Sequence, residues 1–432
     1  MEQLAFLTEE KIREIRRRFG TPVFVYDQET LEARAREVLD FPNAYGLTAR
    51  YAMKALPTAA VVRILNRVGM HIDASSGYEV ERAIRAGVSP DQIQLTAQRT
   101  PPDLDSLVRQ GVLFNACSLQ QLRHYGDLFP GHSVTVRINP GLGSGHSKRT
   151  NVGGPSASFG IWHEYLDEVL AIAGTRNLKI SSMHTHIGSG SDPEVWEHCA
   201  MISLRIAAQL PEVEVLSLGG GFKVGRMAGE ASTDLNRIGM HVIEAFRAFR
   251  TEHGRRLRLE VEPGTFLVAN AGALICSVID CVDTGRNGYD FLKADAGMTE
   301  LLRISLYGAQ HPIVTVPAQP ETRKLKEYLI AGHCCESGDV LTPAPGDPEG
   351  LQPRLLAEAR MGDLLAVGGS GAYCSGMASK NYNSFPEAAE VLQAPDGTLH
   401  LIRKRQTLDQ VTANEVIPDF LDTGSNSSYS DT

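Results

Sequence analysis

Short β-rich runs and helical patterns alternate along the first 264 residues. Residues 9–19 repeat apolar positions at helical spacing, and TPVFVYD (21–27) has the make-up of a strand. From residue 47 a rhythm sets in. LTARYAMKA (47–55), HIDASS (71–76), IQLTA (93–97), LFNA (113–116), SVTVRINP (133–140), KISSMHTHI (179–187), VEVLSLGGG (213–221) and RLRLEVEPG (256–264) all read as strands. Helical stretches separate them. In PTAAVVRILNRVG, Val61, Leu65 and Val68 share one face, Pro57 suits a first helical turn and Gly69 a C-terminal cap. Successive strands lie ~29 residues apart, the span of a βα unit. Eight of them predict an α/β fold, a (β/α)8 barrel of about 230 residues. A doubly wound sheet also alternates strand and helix; the count of eight favours the barrel.

After Gly264 the pattern changes. AGALICSVIDCVDTG, YDFLKADAG, HPIVTV, KEYLIAGH and DLLAVGG are strand-like and lack long helices between them. DTGRNG, TPAPGDPEG and APDGT punctuate them as turns, so a second, mostly β domain follows the barrel. A Gly/Ser-rich loop, GLGSGHSKRTNVGGPSASFGI (141–161), follows the fifth strand, where barrel loops build the active-site face.

Charge narrows the function. A net charge of −9 argues against nucleic acid or an anionic membrane as partner. No apolar run approaches the roughly 20 residues of a bilayer-spanning helix, and the N-terminus lacks an apolar signal-peptide core. The seven cysteines are odd in number and contain no C-x-x-C pair. They predict neither a disulfide framework nor a metal site, and fit a reducing cytoplasm. Glycine is in excess, 41 of 432 residues, against an expectation of roughly 7%; tight turns, or backbone close to a ligand, would use them.

Candidate chemistry sits at the strand ends. Lys54 follows YAM at the end of the first strand. It either caps the strand into solvent or serves as a Schiff-base lysine whose pKa falls with burial. MHTHIGSG carries His184 and His186 on one strand face. SLGGGF sets Gly219, Gly220 and Gly221 between strand and helix, either as a tight turn or as a cradle of N–H groups for a phosphate. LEVEPGT places Glu260 and Glu262 at the end of the eighth strand, where a buried carboxylate needs a cationic partner. Amine, imidazole, amides and carboxylate thus share one rim, and a pyridoxal-phosphate site would use all four. In AGHCCESGDVLTP the two cysteines are either small buried residues or include one reactive thiol. Arg303 and Tyr307 are four apart and can share a helix face, with Arg303 suited to a substrate carboxylate. Tyr373 lies in the Gly-rich GSGAYCSGMASKNYNSFP.

In combination and order, YAMKA, HTHIGSG, GGGF, EPG, DAGMTELLR-x-x-LYGAQH, CCESGDVL, GAYCSGMASKNYNS and LIRKRQT resemble the fold-type III pyridoxal-phosphate decarboxylases. Within that family the likeness is to the branch that turns meso-2,6-diaminopimelate into L-lysine and carbon dioxide. It spans residues from about 20 to 410. The resemblance implies an alanine racemase-like barrel over 28–265, a β domain from 266–420 joined by 1–27, and a disordered tail at 421–432. It implies that Lys54 holds the cofactor as an imine, that His186 stacks on its ring, and that Glu262 keeps its pyridine nitrogen protonated. Ser189, Gly219, Gly220, Gly221, Gly264 and Tyr373 would contact the cofactor. Arg303, Tyr307, Glu336 and Tyr373 would bind substrate, and Cys335 would donate a proton. Cys335 and Glu336 would reach the opposite subunit's site, so a homodimer with shared active sites is implied. One position departs from the family. Its Glu-Pro-Gly-Arg motif reads Glu262-Pro263-Gly264-Thr265 here, which removes a permanent charge from the substrate site. A decarboxylase for lysine, ornithine, arginine or a secondary-metabolite precursor is therefore the alternative. His146, Lys148 and Arg149 in the long loop are candidates to replace the charge. An amino-acid racemase typically sets arginine against the pyridine nitrogen, which Glu262 argues against.

Overall fold

The computed structural model describes residues 4–143, 152–186, 188 and 193–421. Ser189, His146, Lys148, Arg149 and the tail beyond residue 421 lie outside the described residues. All eight expected strands are present: β1 (Leu47–Ala52), β2 (His71–Ala74), β3 (Ile93–Leu95), β4 (Leu113–Ala116), β5 (Ser133–Asn139), β6 (Lys179–His184), β7 (Val215–Ser217) and β8 (Arg258–Val261). Each pairs in parallel with the next, and β8 pairs back onto β1 with Leu259 opposite Leu47, closing the barrel. Barrel strands are covered by helices outside and side chains inside, which is why they read as apolar runs rather than alternating ones. The interior is filled by layers of side chains. One layer below the rim holds Arg50 and Glu260, both buried, with Arg50 Nε 2.8 Å from Glu260 Oε1. Glu260 thus has its cationic partner inside the barrel wall.

The helix after β1 spans Ala59–Val68, with Thr58 as its N-cap residue and Gly69 (φ 121°) as its C-cap. Pro57 lies before the helix rather than in its first turn. Val61 and Leu65 are buried, while Val68 is half-buried.

The second sheet takes its central strand from the N-terminus. Val23–Asp27 runs antiparallel to Gly272–Asp283 and parallel to Ala389–Gln393. The amphipathic helix Glu9–Phe19 buries Ile12 and Ile15 against that sheet. Its Thr8 Oγ1 accepts the Lys11 N–H at 3.2 Å, satisfying one orphan donor of the first turn. The β region contains one ten-residue helix, Met298–Tyr307, between the strands Asp290–Ala294 and Ile313–Val316. A buried polar contact binds the sheet to the barrel mouth: Thr58 Oγ1 donates to Glu390 Oε2 at 2.6 Å. Tyr26 Oη lies 3.0 Å from Ser375 Oγ, which ties the sheet to the turn after Tyr373.

Candidate active site

The carboxyl ends of β1, β2, β3, β5, β6, β7 and β8 surround a cavity. Lys54, Asp73, Thr96, Arg137, His184, His186, Gly220, Gly221, Glu262, Gly264, Thr265 and Tyr373 all line it. Backbone bonds tie the rim together. Ala52 N–H donates to Pro263 O at 3.1 Å, and Glu262 N–H to Gly219 O at 2.8 Å.

Lys54 sits in a single 3-10 turn, Met53–Ala55, that continues β1. Protein encloses it, yet its side chain remains open to water through the cavity. Burial opposes its charge, but Tyr373, Asp73 and Glu262 outweigh burial and Arg137, so its pKa moves upward. This reverses the sequence expectation of a burial-depressed lysine: the cavity holds enough negative potential to keep the ammonium.

Tyr373 holds that turn from the other side. Its N–H donates to Ala55 O at 2.8 Å, and its backbone is left-handed (φ 55°). A bulky residue in this region is strained, and such strain persists where surrounding structure over-determines it.

Glu262 is 7% exposed and accepts three hydrogen bonds or ion-pair contacts. His184 Nε2 lies 2.8 Å from Oε2, while Gln94 Nε2 and Ser217 Oγ each lie 3.2 Å from Oε1. Burial favours its protonation, but His184 first, by charge and hydrogen bond, and then Arg50 outweigh that and hold its pKa down at about 2. It is a carboxylate at any working pH. Asp73, opposite Ala52 on the neighbouring strand, behaves in the other sense. Burial and the charge of Glu262 raise its pKa to about 7, and its Oδ1 is buried without a hydrogen-bond partner.

His186 stands against the glycine turn. The Gly220 N–H donates to His186 Nδ1 at 3.2 Å, which leaves the ring's proton on Nε2. Burial first, then Arg137 and Lys54, push the imidazole pKa well below its ordinary value, so the ring is neutral. No side chain fits at Gly220, where a Cβ would strike the Glu262 carbonyl, and at Gly219 (φ 66°) one would meet the His186 ring.

These features suit pyridoxal phosphate. A reactive amine, an ionised buried carboxylate, a neutral imidazole and a bare backbone turn converge on one cavity. Among the described residues, the buried Asp73 Oδ1 and His184 Nδ1 within it find no partner, as polar groups awaiting a ligand would.

Gly219, Arg303, Tyr307, Cys335 and Glu336 are not part of its lining. Arg303 and Tyr307 are half-buried on the helix Met298–Tyr307, and Arg303 is close enough for its charge to act on Tyr373. Cys335 and Glu336 are exposed, with Cys335 N–H anchored on Asn383 Oδ1 at 2.7 Å. At neighbouring Cys334, burial and Asp339 push the thiol pKa up to about 12. Sequence reasoning missed Asp73, Thr96 and Arg137. Each is a polar residue at or just past the carboxyl end of an apolar strand, the same signal that picked out Lys54.

Comparison with known proteins identifies the class. Residues 30–269 match the family profile of the pyridoxal-binding domain of pyridoxal-dependent decarboxylases. A barrel with this rim and this match is a pyridoxal-phosphate-dependent decarboxylase. The chain is 36% identical over 408 residues to diaminopimelate decarboxylase of Streptomyces coelicolor, covering 92% of this chain and 90% of that protein. Against the Escherichia coli K12 enzyme it is 34% identical, covering 95% and 97%. A crystal structure of a diaminopimelate decarboxylase superposes with a TM-score of 0.87 at 33% identity over 94% of this chain and 96% of that one. The Helicobacter pylori enzyme complexed with L-lysine gives 0.81 at 25% identity, over 93% and 98%. The chain belongs to the diaminopimelate decarboxylase family. Among the described residues, no helix is long and apolar enough to cross a membrane.

Proposed function

We propose that the protein removes one carboxylate of meso-2,6-diaminopimelate as carbon dioxide and releases L-lysine. The observation that carries this reading is the pairing of Lys54 with an ionised, buried Glu262 in one cavity, in a chain that aligns with curated diaminopimelate decarboxylases along nearly its whole length.

The bound cofactor supplies an electron sink for the bond that breaks. Lys54 would be its attachment point, and its amine would have to lose the proton that Tyr373, Asp73 and Glu262 favour. Glu262, fixed by His184, Gln94 and Ser217, would hold a proton on the cofactor's pyridine nitrogen. His186 would provide a flat, uncharged wall, and the Gly219–Gly221 turn would take the phosphate together with Gly264, Tyr373 and the expected Ser189. Arg303 and Tyr307 bind the end of the substrate that does not react.

Cys335 delivers the proton that replaces the lost carboxylate, and Glu336 contacts substrate. Both are exposed on this chain and outside its own cavity, which supports their acting in the site of a partner subunit within a homodimer. A free, reduced thiol at Cys335 suits a cytoplasmic enzyme.

Chiral chromatography after incubation with meso-2,6-diaminopimelate tests this. The expected product is L-lysine with an equal amount of carbon dioxide. Epimerised diaminopimelate without carbon dioxide would mean a racemase.

A further inference from the structure

We propose that Arg226, set beside Arg303, completes a two-guanidinium site that recognises the substrate's distal carboxylate. The idea deepens the proposed function and rests on it for the identity of the substrate.

Arg226 lies in the loop between the glycine turn and the helix Leu235–His253, and its side chain turns into the protein. Its Nε donates to Gly369 O at 3.1 Å, while Nη2 is buried with no hydrogen-bond partner. Any side chain at Gly369 (φ 63°) would strike the arginine stem, so this turn has room for Arg226 only because it is glycine. The same turn leads directly into Tyr373, a wall of the cavity. It also rests on the short helix Thr265–Val268, since Gly371 N–H donates to Ala269 O at 3.0 Å. Arg226 therefore lies against the turn that leads to Tyr373, beside the lining of the active-site cavity rather than in it.

Arg303 reaches the same place. Its Nη1 donates to His311 Nε2 at 2.8 Å, and His311 Nδ1–H donates to Gly368 O at 2.9 Å. Burial and then the two arginines push the His311 pKa far below its usual value. The ring is a neutral spacer and supplies no counter-charge. Burial, then Arg303, lowers the Arg226 pKa to about 9, which still leaves it protonated at neutral pH. Among the described residues neither arginine forms an ion pair with a carboxylate. The nearby Glu230 carboxylate accepts from the backbone N–H groups of Arg226 and Met227, and its charge favours the Arg226 guanidinium without offsetting burial and Arg303.

Two neighbouring guanidiniums with so little counter-charge are costly. Planar forks of this kind match a carboxylate in two-point contact, and an arriving carboxylate relieves their repulsion. Thr265 lines the cavity where an arginine was expected. In this chain the second cation comes from a different loop.

The test compares two ligands of the cofactor-loaded enzyme by calorimetry. L-lysine carries one carboxylate; 1,5-diaminopentane has the same chain and amines without it. The wild type should bind L-lysine the more tightly. Arg226→Gln should cut that preference at least tenfold, and Arg226→Lys, which keeps the charge but loses the fork, by less. Adding Thr265→Arg to Arg226→Gln should restore most of it. A wild type with no preference, or an Arg226→Gln variant with the preference intact, overturns the proposal. Failure of the functional reading would look different: no carbon dioxide from meso-2,6-diaminopimelate, with the ligand preference still present and still lost in Arg226→Gln.

Discussion

Replacing Glu262 with glutamine tests the electrostatics of the site most sharply. The side chain keeps its size and can still meet Gln94 and Ser217, but it can no longer carry charge. The surroundings lower the pKa of Glu262 from 4.5 to about 2. At about 1.4 kcal/mol per pKa unit, they favour the carboxylate by about 3 kcal/mol. A depressed carboxylate pKa contributes stability above its unfolded value, lost as pH falls through the folded one. The apoprotein of Glu262→Gln should therefore lose about 3 kcal/mol in denaturant unfolding at pH 7.5, and the gap should close as the pH approaches 2. In the loaded enzyme the amide cannot hold a proton on the pyridine nitrogen, so kcat should fall by roughly 100-fold or more. Borohydride should still fix the cofactor on Lys54, which separates lost chemistry from lost binding. Turnover within threefold of wild type would refute the assignment of Glu262.

Further outcomes follow from the same geometry. Peptide mapping after borohydride reduction should find the cofactor on Lys54; label on another lysine, or none, would remove the cofactor assignment. Cys335→Ala should slow turnover while the absorbance of the bound cofactor persists, and full activity would take the thiol out of the mechanism. In the apoprotein, Asp73→Asn should stabilise. The raised pKa of Asp73 means wild-type stability is lost as pH climbs from about 4 to about 7. The variant's advantage in unfolding experiments should grow over that window and then level off; an advantage largest at pH 3 would contradict the direction. Gly220→Ala drives a methyl into the Glu262 carbonyl, so spectroscopic titration should show cofactor affinity falling by an order of magnitude or more.

Most of the barrel was legible because parallel strands buried on both faces appear as apolar runs, and glycine or proline ends them. The site was legible where a strand ends in a residue that an apolar neighbourhood does not tolerate, as at Lys54, His186 and Glu262. What sequence could not show is which of these residues meet. Asp73 stands beside the Lys54 turn only because β1 and β2 pair with Ala52 opposite it. The raised pKa of Lys54 follows from such neighbours, so a reading based on burial alone took the wrong direction. Glu390 reaches Thr58 across 332 positions, a contact that no local pattern announces. Arg226 read as an ordinary loop arginine; its inward course depends on a glycine 143 residues away.

The central claim is that the enzyme decarboxylates an amino acid with a second, distal carboxylate. Carbon dioxide release from meso-2,6-diaminopimelate, L-lysine, L-ornithine and L-arginine, each at equal concentration, tests it most directly. The account predicts that meso-2,6-diaminopimelate is consumed fastest, with L-lysine accumulating. Faster release from any of the three substrates without a distal carboxylate would contradict it.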